Sequence, residues 1–109
     1  MYKTNEHYIE EIIKNIDFIL GHMNGVSKES LEADEVLADS MVFRLIQISE
    51  LSKNLTEEYK SRHDTIPWGD ITALRNRLVH DYGNVDMTIV YDTLTKDIAE
   101  LKQELSRLL

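Results

Sequence analysis

The sequence predicts an all-α fold: a small antiparallel bundle of four to five helices, one domain over residues 1–109, paired as a two-fold dimer. Three observations lead there. Apolar residues recur at helical spacing along most of the chain, and the period-two alternation of a half-buried strand is missing even from the Ile-rich first segment. Breakers are few, with four Gly and one Pro in 109 residues. The second long segment is apolar around most of its circumference, as expected of a helix that is central in a bundle or shared with a second chain.

The first helix is expected over about 4–23, with Ile9, Ile12, Ile13, Ile16, Leu20 and Met23 on one face and Gly21, Asn24 and Gly25 at its end. A short acidic connection follows, from Ser27 to about Asp34, with room for one helical turn. Its carboxylates, Glu29, Glu32, Asp34 and Glu35, read as a solvated face or as a docking patch for a basic partner. The second long helix is expected over about 34–61. Val42, Leu45, Ile46 and Ser49 form its main stripe, widened by Met41, Ile48, Leu51 and Leu55, and Ser40, Ser49 and Ser52 permit close helix approach. Pro67 at the first helical position and Asp70 in the first turn open a third helix. It runs to Asp81 or Tyr82, and Gly83 is expected to close it in the left-handed conformation. Asp86 is the expected N-cap of the last helix, which carries the stripe Val90, Leu94, Ile98, Leu101, Leu105 and Leu108.

Composition narrows the function. Apolar residues make up 42% and charged residues 29%, ordinary for a globular domain. The absence of cysteine excludes disulfides and thiolate zinc sites. Met1–Glu6 does not resemble a secretory signal, and no stretch approaches the ~18 apolar residues that span a membrane, so a cytoplasmic location without membrane contact is expected. The net charge of −8, from 12 Lys and Arg against 20 Asp and Glu, runs against nucleic-acid binding unless a basic cleft is formed locally.

One segment concentrates chemistry: Arg75-Asn76-Arg77-Leu78-Val79-His80-Asp81-Tyr82. On a helix, Ile71, Leu74, Leu78 and Tyr82 share an arc that faces the core, with Arg75 at its edge. Asn76 and His80, four apart, share another face. Taken singly each residue has a plain explanation: Arg75 as an ion-pair partner of Glu50 or Asp70, Arg77 paired to Asp81, Tyr82 in the core, His80 on the surface. Together they are sufficient parts for RNA cleavage by 2′-hydroxyl attack on the adjacent phosphate. Histidine moves protons near neutral pH. Arginine stabilises charge growing on the phosphoryl oxygens. Asn76 orients the imidazole or touches the phosphate. Arg75 and His80 lie roughly 140° apart around the helix, so one straight helix does not easily aim both at one phosphate. A two-fold dimer that forms a single cleft from both chains resolves this.

The segment resembles the R-x-x-x-x-H-x-Y motif of the HepT-like toxins in the HEPN superfamily, complete here as Arg75, His80 and Tyr82, with Ile66-Pro67-Trp68 ahead of it and a similar helix order over essentially the whole chain. Two departures are Ser49-Glu50-Leu51, where the family often has Gly-Glu-Ala, and Gly83-Asn84, where an aromatic residue is frequent. The resemblance implies a dimeric helical bundle acting as a metal-independent ribonuclease toxin without cofactor. It implies Arg75 and His80 as catalytic residues with Asn76 in support. It also implies a minimal nucleotidyltransferase antitoxin that adds AMP to Tyr82. Such an adduct would obstruct the cleft and place negative charge beside Arg75. Arg77, Lys60 and Arg62 are the expected RNA contacts outside the catalytic set. Two other classes stay open: an inactive binding module or adaptor for a nucleotidyltransferase, which the acidic charge favours, and a metalloenzyme, against which no H-E-x-x-H pairing is found among His7, His22, His63 and His80.

Overall fold

The computed structural model describes residues 3–109 and contains helices and turns but no strand among them. Helix α1 (Asn5–Met23) is capped by Thr4, whose hydroxyl accepts the His7 N–H at 3.0 Å. Ile9, Ile12, Ile16, Ile19 and Met23 are buried, with Asn15 among them. Ile19, rather than the expected Leu20, is fully enclosed, while Ile13 and Leu20 are half-buried at the margin. Gly25 then turns the chain at φ 75°, a conformation that glycine adopts without a Cβ penalty.

The acidic connection forms one short helix, α2 (Lys28–Ala33), with Leu31 buried and Ser27 as its cap. Asp34 caps α3 (Glu35–Ser52), the bundle's central helix. Ala38, Met41, Val42, Leu45, Ile48, Ser49 and Ser52 are its buried residues. Between α1 and α3, Arg44 Nη1 donates to the Asn15 side-chain oxygen at 3.1 Å, and its guanidinium lies 3.8 Å from the centre of the Phe18 ring.

The second helix is shorter than its periodicity predicts. It stops at Ser52, and a separate helix α4 (Glu57–Arg62) follows. The reason is local competition for backbone groups. Ser52 Oγ donates to the Ser49 carbonyl at 2.7 Å, and Asn54 Nδ2 donates to the Glu50 carbonyl at 3.4 Å. Leu55 folds into the core, and Thr56 restarts helix by accepting the Tyr59 N–H at 3.1 Å. Asn5 clamps the break to the start of α1, exchanging hydrogen bonds with Thr56.

Helix α5 (Trp68–Asp81) begins one residue later than expected, so Pro67 occupies the capping position rather than the first helical one. The Trp68 indole N–H donates to the His63 carbonyl at 3.1 Å, and Ile66 is buried beneath. A 3₁₀ turn (Tyr82–Asn84) ends α5, and Gly83 has no positive φ there. The left-handed closure is unnecessary because the Val85 N–H reaches the Tyr82 carbonyl and Asn84 Nδ2 donates to Asp81 at 2.6 Å. Asp86 caps α6 (Met87–Asp92), as expected, accepting the Thr88 N–H at 2.8 Å. A π-helical segment (Thr93–Asp97) joins it to α7 (Ile98–Ser106). The hydroxyls of Thr93 and Thr95 donate to carbonyls one turn back, which fits a widened turn. The Tyr91 hydroxyl donates to the Val26 carbonyl at 2.7 Å, and Lys102 pairs with Asp17 at 2.6 Å, tying the last helices to α1. No helix of the described residues is long and apolar enough to cross a membrane.

Candidate active site on helix α5

Helix α5 packs on α3 through one narrow apolar edge. Leu78 is its only buried residue, and Ile71, Leu74 and Tyr82 are half-buried. So the predicted arc faces the core, but shallowly. The polar remainder of the motif is thereby left at the surface. Two polar bonds fix the direction of α5 against α3. Arg75 Nε donates to Glu50 Oε1 at 2.7 Å, and the Tyr82 hydroxyl donates to Asp39 Oδ1 at 3.5 Å. Numbers rise on α5 as they fall on α3, so the two helices run antiparallel.

Of the two plain partners open to Arg75, the structure selects Glu50. Its side chain is 23% exposed, against 39% for Glu50, so this is a half-buried pair. Arg75 Nη1 donates to Asn76 Oδ1 at 3.1 Å. Asn76 therefore contacts the arginine directly, and no bond from it to His80 is formed. The hydrogen bond from Arg75 holds the Glu50 carboxyl below its ordinary range, with partial burial opposing and Lys53, 3.6 Å away, assisting. The sequence offers Glu50 and Asp70 as partners of Arg75 and places Glu50 in the Ser49-Glu50-Leu51 step; the choice of Glu50 is a contact between helices that no spacing rule reveals.

His80 is exposed at the C-terminal end of α5 and has no hydrogen bond or ion pair among the described residues. Tyr82 is half-buried with its hydroxyl towards Asp39. Burial first, and then the Asp39 and Glu35 charges, push its phenol above the ordinary value of 10.0. Arg77 is exposed and does not pair with Asp81, whose carboxylate is taken by Asn84 instead. Lys60 is held by Glu57 at 3.1 Å, and Arg62 is exposed. Both lie on α4, ahead of the start of α5, whereas about 18 Å of helix separates Trp68 from His80. The structure thus brings Arg75, Asn76 and Glu50 together and sets His80 apart on the same helix, with Lys60 and Arg62 on the separate helix α4.

A groove of about 420 Å³ between α3, α5 and the last helix is lined by Leu45, Ile48, Ile71, Leu74, Ile98 and Leu101 among others, and neither Arg75 nor His80 belongs to it. The motif occupies open surface. Apolar side chains also face outwards on these two helices: Val36 and Phe43 on α3, 78% and 54% exposed, and Val79 on α5, 43% exposed. Among the described residues no three His, Asp or Glu side chains gather as a metal-binding group.

Comparison with known proteins agrees with the motif. The family described as ribonuclease HepT-like matches residues 7–108. A protein of Caldanaerobacter subterraneus subsp. tengcongensis named "Putative RNase" is 34% identical over 98% of this chain and 96% of its own length. One from Thermococcus cleftensis, named "Probable ribonuclease HepT", is 29% identical over 99% of this chain and 98% of its own. A Methanocaldococcus jannaschii protein, named for a γ-glutamylcyclotransferase as well as an RNase, is 27% identical over the whole of this chain but only 49% of itself. No solved structure gives a significant match. With the family match covering nearly the whole chain and the helical bundle presenting the motif on α5 and the turn that ends it, the chain belongs to the HepT-like ribonuclease family of the HEPN type.

Proposed function

We propose that this chain is a metal-independent endoribonuclease toxin, active as a two-fold dimer in the cytoplasm and silenced by a nucleotidyltransferase antitoxin that adds AMP to Tyr82. The observation that carries the reading is the state of Arg75. It is held by Glu50 at 2.7 Å and by Asn76 at 3.1 Å, in the motif that also presents an exposed His80. A fixed guanidinium with free N–H groups suits a phosphoryl oxygen, and an exposed imidazole suits proton transfer to and from the ribose.

In the proposed mechanism His80 takes the proton of the 2′-hydroxyl, whose oxygen attacks the neighbouring phosphorus. Arg75 donates hydrogen bonds to the non-bridging oxygens as charge grows there, and Asn76 supports the guanidinium. The bond from phosphorus to the 5′-oxygen breaks, and the 5′-oxygen takes its proton from the imidazolium, giving a cyclic phosphate end and returning His80 to its starting form. Arg75 and His80 point to different sides of α5, so His80 meets Arg75 of a second copy across the two-fold axis. The outward apolar side chains of α3 and α5 support that pairing. Arg77 and, more remotely, Arg62 and Lys60 extend the RNA track.

Expression in a bacterial host tests the reading. Wild-type chain should arrest growth, while Arg75→Ala and His80→Ala chains at equal abundance should not. Co-expressed nucleotidyltransferase should rescue the wild type, with a mass gain of one AMP on Tyr82, and should fail to rescue Tyr82→Phe. A Tyr82→Phe chain silenced by modification elsewhere contradicts the assignment of Tyr82.

One observation favours a second reading, an inactive adaptor for the nucleotidyltransferase. The net charge is −8, Lys60 is paired with Glu57, and Lys53 and Arg75 share Glu50, which reduces the positive charge offered to RNA. Partner binding by a folded chain that cleaves no RNA at any concentration selects it.

A further inference from the structure

We infer that Glu50 is a positioning residue for Arg75, setting which edge of the guanidinium is offered to phosphate; the inference rests on the ribonuclease reading above. Arginine carries five N–H donors in a rigid planar fork. Glu50 Oε1 occupies the Nε–H at 2.7 Å, and Asn76 Oδ1 occupies one Nη1–H at 3.1 Å. The bonds come from two directions, one from the packed helix α3 and one from the neighbouring residue on α5. Together they fix both the reach and the roll of the plane. The two Nη2 protons and one Nη1 proton remain: one Nη2–H lies on the Nε side, and the other points to the end of the fork, an edge that can grip phosphate oxygens.

The alternative geometry makes the selection meaningful. An unrestrained arginine can present either its end edge or its Nε side to an anion. With the Nε–H taken by a carboxylate, the paired Nε–Nη2 grip is lost and an anion is directed to the end of the fork. Glu50 also lies 3.6 Å from Lys53, so the trio of one carboxylate and two cations keeps a net charge of +1. Glu50 thus orders Arg75 without abolishing the local attraction for phosphate. The half-burial of the pair, against the exposure of Asn76, makes Glu50 the stiffer of the two anchors.

The test compares Glu50→Ala and Glu50→Gln with wild type on a short RNA. Loss of the anchor should lower kcat about 10- to 100-fold, the scale of a misplaced catalytic group. KM should hold or fall, because a negative charge beside the phosphate site is removed. Glu50→Gln keeps a carbonyl oxygen for the Nε–H and should recover most of kcat. A Glu50→Ala chain with wild-type kcat overturns the inference, as does equal loss in both variants. A second readout does not need cleavage. The Arg75 Nε–H resonance in ¹⁵N NMR should be protected from exchange in wild type and in Glu50→Gln, and unprotected in Glu50→Ala. Protection that survives in Glu50→Ala overturns the inference whatever the enzyme does. Protection that follows Glu50 in a chain without RNA cleavage instead rejects the ribonuclease reading and leaves the contact standing.

Discussion

The Tyr82 hydroxyl meets the Asp39 carboxylate at 3.5 Å across the α3–α5 packing, three helical turns along α3 from the Glu50 that holds Arg75. Two carboxylates of one helix thereby contact the two ends of the motif on another. The phenol is half-buried, and its ionisation is pushed above 10.0, by burial first and by Asp39 second. Absorbance titration of the tyrosines should therefore lose a step displaced to high pH in Tyr82→Phe, while that of Tyr59, which is also raised, remains. A folded pKa above the unfolded one adds stability at lower pH that is lost as pH rises through the folded value. The stability gap between wild type and Tyr82→Phe should accordingly narrow above pH 10.0 and be constant below it.

Glu50 predicts the opposite dependence. The bond from Arg75 holds its carboxyl below 4.5, so its contribution is complete above that pH and is lost as pH falls through the lowered value. Denaturation midpoints of wild type and Glu50→Gln should differ by a constant amount from neutrality to about pH 5 and converge in stronger acid. A gap that widens on acidification contradicts the pair as the cause.

Leu78 is the one buried side chain on α5, 3% exposed, beside the exposed Val79. Leu78→Ala should cost about 2–5 kcal/mol in urea unfolding, the usual range for an enclosed leucine. Val79→Ala should leave unfolding at low protein concentration nearly unchanged but weaken self-association in sedimentation experiments. Equal effects of the two on folding would mean that the exposed face of α5 is no interface.

The cleft proposed to be shared by two copies makes a separate prediction. Arg75→Ala and His80→Ala chains should each be inactive, yet refolding them together should restore roughly a quarter of wild-type cleavage by random pairing into two-fold dimers. Mixtures as inactive as their components would place Arg75 and His80 of one chain at one phosphate.

Much of this was legible in the sequence because it is periodic or local. The Asp86 cap holds, the first two long helices begin beside Thr4 and Asp34 as read, and the stripe on the last helix packs as read. The break at Ser52–Thr56 was hidden because Leu51 and Leu55 continue the helical period through it, while the deciding hydroxyl and amide bonds to the backbone leave no periodic trace. Gly83 misled because a glycine after a helix permits positive φ without requiring it, and the Asn84–Asp81 bond supplies another ending. At the site, Arg75, Asn76, His80 and Tyr82 were readable as a motif on one helix. Which of two carboxylates holds Arg75 depends on how α5 lies against α3, a tertiary fact. The pairing between Arg77 and Asp81 is not formed, since spacing of four on a helix permits an ion pair without requiring it, and Asp81 accepts from Asn84.

The most direct test of the account is cleavage of RNA by the purified chain in excess EDTA, set beside its His80→Ala variant. The account predicts cleavage with cyclic phosphate ends by the first and none by the second, with matched thermal unfolding. Cleavage that persists in folded His80→Ala, or none from wild type whose Tyr82 is unmodified by mass, contradicts it.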